Sequence, residues 1–190
     1  MRIVGGRHRN RSLITLADRS VRPTADRTRE AMFNILAHRP WGPEGSNILD
    51  QAVVLDAFLG SGALALEALS RGAERAIGFD TSSQALAVAR KNAASLGESG
   101  RLTVRRIDAL RPPPASEAAN LVFLDPPYGR ELIEDAVESL HKAGWFAPGA
   151  VITIECDAED NPEPSDAFDS LDARVYGRTR LSFWRAPAGG

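Results

Sequence analysis

The amino-acid sequence predicts an α/β fold in which a doubly wound sheet follows a basic N-terminal hairpin or arm. Strand and helix patterns alternate from about residue 52 onwards, which is typical of a parallel sheet covered by helices. The first strand pattern runs directly into the glycine-rich turn Gly60-Ser61-Gly62. A length of 190 residues fits one domain with a small appendage, so we expect an arm over residues 1–22 and a main domain over 23–190.

Each predicted element follows from local periodicity and from the residues that end it. Apolar runs bounded by glycine, proline or polar clusters indicate strands at 52–58, 75–79, 102–107, 120–124 and 150–155. Apolar faces with helical spacing indicate helices at 63–71, 82–95 and 131–143, and Thr24 is suited to cap an earlier helix. We also expect a linker at 40–50, an exposed acidic loop at 157–170, and a closing hairpin at 171–176 and 179–184.

Charge is unevenly distributed, although the formal net charge is only −2. Residues 1–30 contain eight arginines and three acidic residues, whereas residues 155–172 contain eight acidic residues and no Lys or Arg. The basic segment could bind a polyanion, and a solvated surface is an equally good interpretation of that charge alone. A single cysteine and the lack of a long apolar run or secretory signal indicate a cytoplasmic protein that does not enter a membrane.

Three carboxylates at successive strand ends indicate a nucleoside ligand. Asp56 precedes the glycine-rich turn, Asp80 ends the next strand, and Asp108 ends the third. An acid about 20 residues beyond the turn can accept both ribose hydroxyls, and the turn lacks the Gly-x-Gly-x-x-Gly spacing that binds a pyrophosphate. Asp56 would repel phosphate but suits a cation. A sulfonium nucleoside with an amino-acid tail, S-adenosylmethionine, therefore fits better than NAD, although any one of these acids could instead be a simple cap.

The sequence Asp125-Pro126-Pro127-Tyr128 follows the fourth predicted strand and is the most specific feature of the chain. The prolines fix the backbone and lack N–H groups, so the neighbouring carbonyls remain acceptors beside the Asp125 carboxylate. These acceptors can bind both hydrogens of an amino group and direct its nitrogen at an electrophilic methyl group. Tyr128 supplies a face on which an unstacked base can lie.

These motifs, in this order, resemble the amino-methyltransferases of the seven-stranded, Rossmann-like class. The segments at residues 2–6, 22–27 and 60–73 further resemble the bacterial 16S ribosomal RNA guanine-N2 methyltransferase family, and the resemblance covers nearly the whole chain. The chain departs from the family pattern at Leu59, where Ala is usual, and at Asp80, where Glu is usual. It also has Ala25 where the family usually has a second Thr.

The resemblance implies methylation of the exocyclic N2 amine of a guanine in 16S ribosomal RNA, on a partly or fully assembled small subunit, by a monomer that uses S-adenosylmethionine and no metal. The expected catalytic residues are Asp125, Pro126 and Tyr128. The expected cofactor-binding residues are Asp56, Phe58, Gly60, Ser61, Gly62, Asp80, Thr81, Asp108, Ala109 and Asp125. The expected RNA-binding residues are Arg7, Arg9, Arg11, Arg22 and Arg27.

Three other functions compete with this interpretation. A DNA adenine-N6 or cytosine-N4 methyltransferase would use the same chemistry, but the chain lacks room for a target-recognition domain. A catalytically silent RNA-binding assembly factor would not need Asp125 and Tyr128, which are intact. A nicotinamide-dependent oxidoreductase is disfavoured by the glycine turn.

Overall fold

The computed structural model describes residues 1–16, 26–127 and 130–188, and it confirms the predicted α/β class. The strands within these residues are β1 (Val53–Asp56), β2 (Arg75–Asp80), β3 (Leu102–Arg106), β4 (Ala119–Leu124), β5 (Phe146–Asp157), β6 (Asp169–Tyr176) and β7 (Thr179–Arg185). The α-helices are α1 (Asp26–His38), α2 (Ala63–Ser70), α3 (Ser83–Leu96) and α4 (Arg130–Lys142). Short 3₁₀ turns lie at Gly6–His8 and Pro43–Gly45.

All of these strands belong to one seven-stranded sheet with β1 near its middle. The order across the sheet is β3-β2-β1-β4-β5-β7-β6. The first five strands in this order are parallel, and β7 is antiparallel to both of its neighbours. The strand order reverses at β1, because β2 and β3 lie on one side of it and β4 and β5 on the other. In open α/β sheets, ligands bind beyond the carboxyl ends of the strands at such a reversal.

Two apolar layers cover the sheet, one on each face. Successive strand residues alternate between them, so Val54 packs in the layer that contains α1, α2 and α3, whereas Leu55 packs in the layer that contains α4. Both side chains are fully buried. No helix in the described part of the chain has the length and apolar character that crossing a bilayer requires.

Two sequence predictions differ from the structure. Residues 40–50 are not a detached linker, because Trp41, Ile48 and Leu49 are buried in the layer with α1. The fifth strand starts at Phe146 rather than at residue 150. Its pairing with β4 shifts register between Ala119 and Leu121, and this irregularity accommodates the Pro-Gly pair inside the strand.

The N-terminal arm folds back on itself and packs against the domain. Arg2 and Ser12 form an antiparallel bridge, and Ile3 and Leu13 are buried in the layer with α1, α2 and α3. The hydroxyl of Ser70, on α2, accepts a hydrogen bond of 2.9 Å from the backbone of the turn between them. The predicted boundary at residue 22 lies outside the described residues.

A buried carboxylate, Glu67 on α2, connects the arm to two helices. Glu67 has no solvent exposure, accepts the Val4 N–H at 2.8 Å, and lies 2.7 Å from Arg71 Nε. Arg29 on α1 is equally buried, with its Nε 3.9 Å from Glu67, and it donates to Asp26 at 2.8 Å. Buried charges are tolerated when each one meets a partner of opposite sign, as these do.

We predict that Glu67→Gln destabilises the fold by about 3 kcal/mol, because it leaves the Arg29 cation buried beside a neutral amide. Urea denaturation measures this change in the free energy of unfolding. Glu138→Gln is the control, since its salt bridge with Lys142 is exposed and its loss should not measurably change stability. Equal stabilities for the two variants would contradict the role assigned to the buried pair.

Candidate active site at the carboxyl edge of the sheet

The strand order places four carboxylates side by side at one edge of the sheet. Asp108 follows β3, Asp80 ends β2, Asp56 ends β1, and Asp125 follows β4, and these strands are neighbours in that order. Neighbouring strands lie about 4.8 Å apart, so the row spans about 14 Å. Within the described residues, no group of His, Cys, Asp or Glu is arranged as a metal site. The row is a negatively charged edge that suits a cationic ligand.

The glycine turn after β1 brings backbone close to this edge. Gly60 has φ of 52° and Gly62 has φ of 82°, a region that favours glycine. The Gly60 N–H donates to Asp80 Oδ2 at 2.9 Å, which fixes the turn against the end of β2. A Cβ on Gly62 would approach the Ala89 side chain to 3.3 Å, so glycine also allows α3 to pack closely.

Asp56 lies beneath this turn and is almost fully buried. Its exposure is 2%, and it accepts the Ala65 N–H, at the start of α2, at 3.2 Å. Burial raises the pKa of the Asp56 carboxyl to about 7, and the charges of Asp125 and Asp80 add to the increase while the Ala65 N–H opposes it. A cation bound nearby would favour the ionised form.

The acids of β2 and β3 accept backbone hydrogen bonds as well. Asp80 Oδ1 accepts the Ser82 N–H at 2.8 Å, and the exposed Asp108 accepts the Leu110 N–H at 3.0 Å. Each carboxylate keeps further lone pairs for a ligand. The remaining predicted cofactor contacts are the partly buried Phe58 and Ser61, the exposed Thr81 and the buried Ala109.

The proline turn after β4 lies at the same edge. Asp125 and Pro126 are partly buried, and Asp56 is paired with Phe123 of β4, so Asp125 follows the strand next to the one that Asp56 ends. Tyr128 and Arg22, which the sequence also assigns to the site, lie outside the described residues. The structure therefore brings together the predicted acids, the glycine turn and the first part of the catalytic turn.

The structure does not bring the arm arginines to this edge. Arg7 pairs with Glu98 at 3.1 Å, and Arg11 donates to the Ser95 carbonyl at 2.9 Å. Both partners lie at the C-terminal end of α3, which begins at the carboxyl edge and is about 21 Å long. The tip of the arm is thus near the amino edge of the sheet. The other described members of the predicted RNA-binding set are the exposed Arg9 and Arg27.

Sequence analysis missed one residue, Asn92 on α3, that connects the glycine turn to the arm. Its amide nitrogen donates to the carbonyls of Ser61 and Ile14, both at 2.9 Å, and its oxygen accepts the Ile14 N–H at 2.8 Å. The residue is 1% exposed. The sequence signal that could have identified Asn92 is its position on the Ala- and Leu-rich face of α3. A polar side chain on a buried face must be hydrogen-bonded, so it is expected to connect to another segment.

A glycine in β2 accommodates the unusual Leu59 of the turn. Leu59 is 3% exposed, and a Cβ on Gly78 would approach its Cδ1 to 2.5 Å, which is too close for any side chain there. The Leu59 N–H also donates to the Phe79 carbonyl at 2.7 Å. The absence of a side chain at Gly78 therefore leaves the space that the Leu59 side chain occupies.

The negative charge of this edge favours S-adenosylmethionine over a cofactor that contains a pyrophosphate. The row of carboxylates would repel a pyrophosphate, whereas it matches the sulfonium and ammonium groups of S-adenosylmethionine. The protein is an S-adenosylmethionine-dependent methyltransferase of the Rossmann-like class. The chain belongs to the family described as conserved hypothetical protein 95, whose model matches residues 1–185.

Known proteins are similar to the chain over most or all of its length. It is 37% identical to ribosomal RNA small subunit methyltransferase D of Escherichia coli K12, covering 100% of this chain and 92% of that relative. A solved Escherichia coli structure described as a putative methyltransferase has a TM-score of 0.83 and 32% identity, covering 100% and 99% of the two chains. An RNA methyltransferase from Salinibacter ruber, solved with S-adenosyl-L-homocysteine, shares the fold with a TM-score of 0.63 at 19% identity, covering 88% and 95%.

We predict a pH-dependent stability that depends on Asp56. The pKa of its carboxyl rises from 3.8 to about 7 on folding, so the native state binds more protons between these values. The free energy of unfolding should therefore fall by up to about 4 kcal/mol as pH rises from about 4 to about 7, and level off above that. Asp56→Asn should remove this contribution. Denaturation of both proteins across the range measures it, and a difference that does not vary with pH would contradict it.

We also predict that Asn92 links the position of the arm to cofactor affinity. Asn92→Ala should weaken S-adenosylmethionine binding about tenfold in calorimetry, because the Ser61 carbonyl loses its partner. Glu98→Gln is the matched control, since Glu98 contacts the arm through Arg7 but not the glycine turn. Equal losses of affinity in both variants would mean that Asn92 acts only through the stability of the arm.

Proposed function

We propose that the chain transfers the methyl group of S-adenosylmethionine to the exocyclic N2 amine of a guanine in 16S ribosomal RNA of the small subunit. The observation that carries the proposal is the Asp-Pro turn that follows β4, with Asp125 beside the end of β1, where Asp56 lies, at the carboxyl edge. The relative named ribosomal RNA small subunit methyltransferase D supports the RNA substrate, because the similarity covers the whole chain.

The chemistry follows from the acceptors of this turn. A guanine N2 is a poor nucleophile because its lone pair is delocalised into the ring. Hydrogen bonds from its two N–H groups to the Asp125 carboxylate and the Pro126 carbonyl favour the pyramidal nitrogen that attacks. Tyr128 would stack on the base and hold it in the plane that these bonds require. Much of the rate enhancement would come from orientation and exclusion of water.

The transfer of the methyl group does not require a catalytic base with a raised pKa. S-adenosylmethionine supplies an electrophilic methyl group, so a new N–C bond forms as the S–C bond breaks and S-adenosylhomocysteine leaves. The nitrogen is then positively charged and strongly acidic. Its proton can pass to Asp125 or to water after methyl transfer, so Asp125 acts mainly by positioning the amine and stabilising the developing charge.

The remaining assignments complete this proposal. Asp80 would bind the ribose hydroxyls, Asp108 the adenine amine, and Asp56 the cationic part of the cofactor. Other predicted cofactor contacts are Phe58, Gly60, Ser61, Gly62, Thr81 and Ala109. Arg7, Arg9, Arg11, Arg22 and Arg27 would bind RNA phosphates. We propose that the protein acts as a monomer without a metal, in the cytoplasm, on a partly or fully assembled small subunit.

We predict that Asp125→Ala lowers the single-turnover rate of methyl transfer by about 100-fold or more, and cofactor affinity far less, because the lost interaction strengthens in the transition state. Asp125→Asn should keep part of the activity, since its amide oxygen still accepts a hydrogen bond. The substrates are unmethylated small subunits and labelled S-adenosylmethionine, both saturating.

Identification of the methylated base in the same assay tests the substrate. N2-methylguanine in 16S RNA supports the proposal. Methylated adenine or cytosine, or transfer of the methyl group to DNA, would contradict the assignment of guanine as the substrate. Near-normal turnover by Asp125→Ala would show that the turn after β4 does not position the amine.

A further inference from the structure

Four exposed cations cover the outer side of α3 and the neighbouring edge of the sheet. Arg90 and Lys91 lie on α3, Arg106 ends β3, and Arg111 lies in the loop that follows. We call these four residues the α3–β3 surface. In the part of the chain that the structure describes, none of them forms a salt bridge. Arg90 and Arg106 each donate a hydrogen bond to a backbone carbonyl, which leaves their positive charge without a counter-charge in this part of the chain.

Positive charge outweighs negative charge in the surrounding segment. Residues 81–111 include six Lys and Arg residues and two acids, Glu98 and the exposed Asp108. Glu98 is 3% exposed and pairs with Arg7, His8 and Arg101, so its charge is directed inward. A typical solvated helix mixes both signs on its outer face, and α3 has no acidic residue at all.

The α3–β3 surface extends between the arm tip and the carboxyl edge. At one end, Arg106 donates to the Thr81 carbonyl at 3.1 Å, just before the start of α3. At the other end, Arg11 of the arm donates to the Ser95 carbonyl, one helical turn beyond Lys91. The cations therefore span the distance of about 21 Å that separates the arm tip from the catalytic edge.

The opposite edge of the sheet has the opposite charge. Residues 155–172, which run from the end of β5 into β6, contain eight acidic residues and no Lys or Arg. Six strand spacings separate β3 from β6, or about 29 Å. A polyanion would be attracted to the β3 edge and repelled from the β6 edge, so the protein has a preferred orientation towards RNA.

The chemistry of the α3–β3 surface matches phosphate groups better than a protein partner. Protein interfaces usually have an apolar centre. The large exposed apolar residues within the described chain are Ile14 and Val175, and neither belongs to this surface. Exposed guanidinium and ammonium groups without apolar neighbours are typical of contacts to a nucleic-acid backbone.

We infer that the α3–β3 surface binds phosphates of the RNA substrate and connects the arm tip to the catalytic edge. The inference rests on the proposed function, because it concerns the RNA that the catalytic turn would methylate. It adds residues that are distant in sequence from the basic N-terminal segment. It also gives the remote arm arginines a role, since one RNA strand could contact both.

The experiment compares two variants that lose the same charge from different places. Arg90→Gln/Lys91→Gln removes two cations from the α3–β3 surface, and Lys142→Gln/Arg178→Gln removes two exposed cations from α4 and the β6–β7 turn. Binding to an unmethylated 16S RNA transcript is measured across salt concentrations. The first variant should lower the slope of log affinity against log salt by about 1.4, and the control should leave it unchanged.

Two further measurements exclude a folding defect. Both variants should keep wild-type cofactor affinity and thermal midpoint, and the first should raise KM for RNA with kcat unchanged. Lys91→Glu alone should weaken RNA binding in the same direction. Equal slopes in the two double variants, or a lower kcat with an unchanged KM, would overturn the inference. Failure of the wild-type protein to bind or methylate 16S RNA would instead overturn the proposed function together with it.

Discussion

The position of the arm depends on one buried carboxylate, that of Glu67. An unpaired buried charge is costly, and Glu67 is stable only because Val4, Arg71 and Arg29 all face it. These partners come from the arm, α2 and α1, so the carboxylate fixes three segments at once. With the arm in place, Ile14 can reach Asn92 and thereby the glycine turn. The geometry of the cofactor edge is therefore coupled to a charge that never touches the cofactor.

Much of the fold could be predicted because its signals are local. Alternating apolar patterns and glycine or proline stops locate each strand, and parallel strands then place their carboxyl ends together. The contacts of residues 40–50 could not be predicted in this way. Trp41, Ile48 and Leu49 are apolar residues between glycine and proline residues that favour turns. Only the tertiary structure shows that these apolar side chains are buried in the core. The irregular pairing between β4 and β5 could not be predicted either, because it also depends on contacts between distant segments.

The site could be predicted as far as its residues are consecutive or end a strand. The acids, including Asp125, end or closely follow strands, and the glycine turn is a run of consecutive residues. Asn92 meets neither, because its partners lie far away along the chain. Composition showed that the arm is basic but not at which edge its arginines lie. The sequence likewise does not show how Leu59 is accommodated, because its contact with Gly78 is visible only in the structure.

The negative charge of the carboxyl edge is compatible with an RNA substrate. The carboxylates would meet the cofactor and a base, whereas the cations of the α3–β3 surface would meet the RNA phosphates. In the proposed function, the row of carboxylates would receive a cationic cofactor and, beside Asp125, an uncharged base. The phosphates of the same RNA would remain outside this row, where Arg106 and Arg111 flank it on the β3 side. The acidic segment before β6 lies at the far side of the sheet and repels a backbone that approaches there. Charge separation across one sheet would thus admit the base, and not the backbone, to the carboxyl edge.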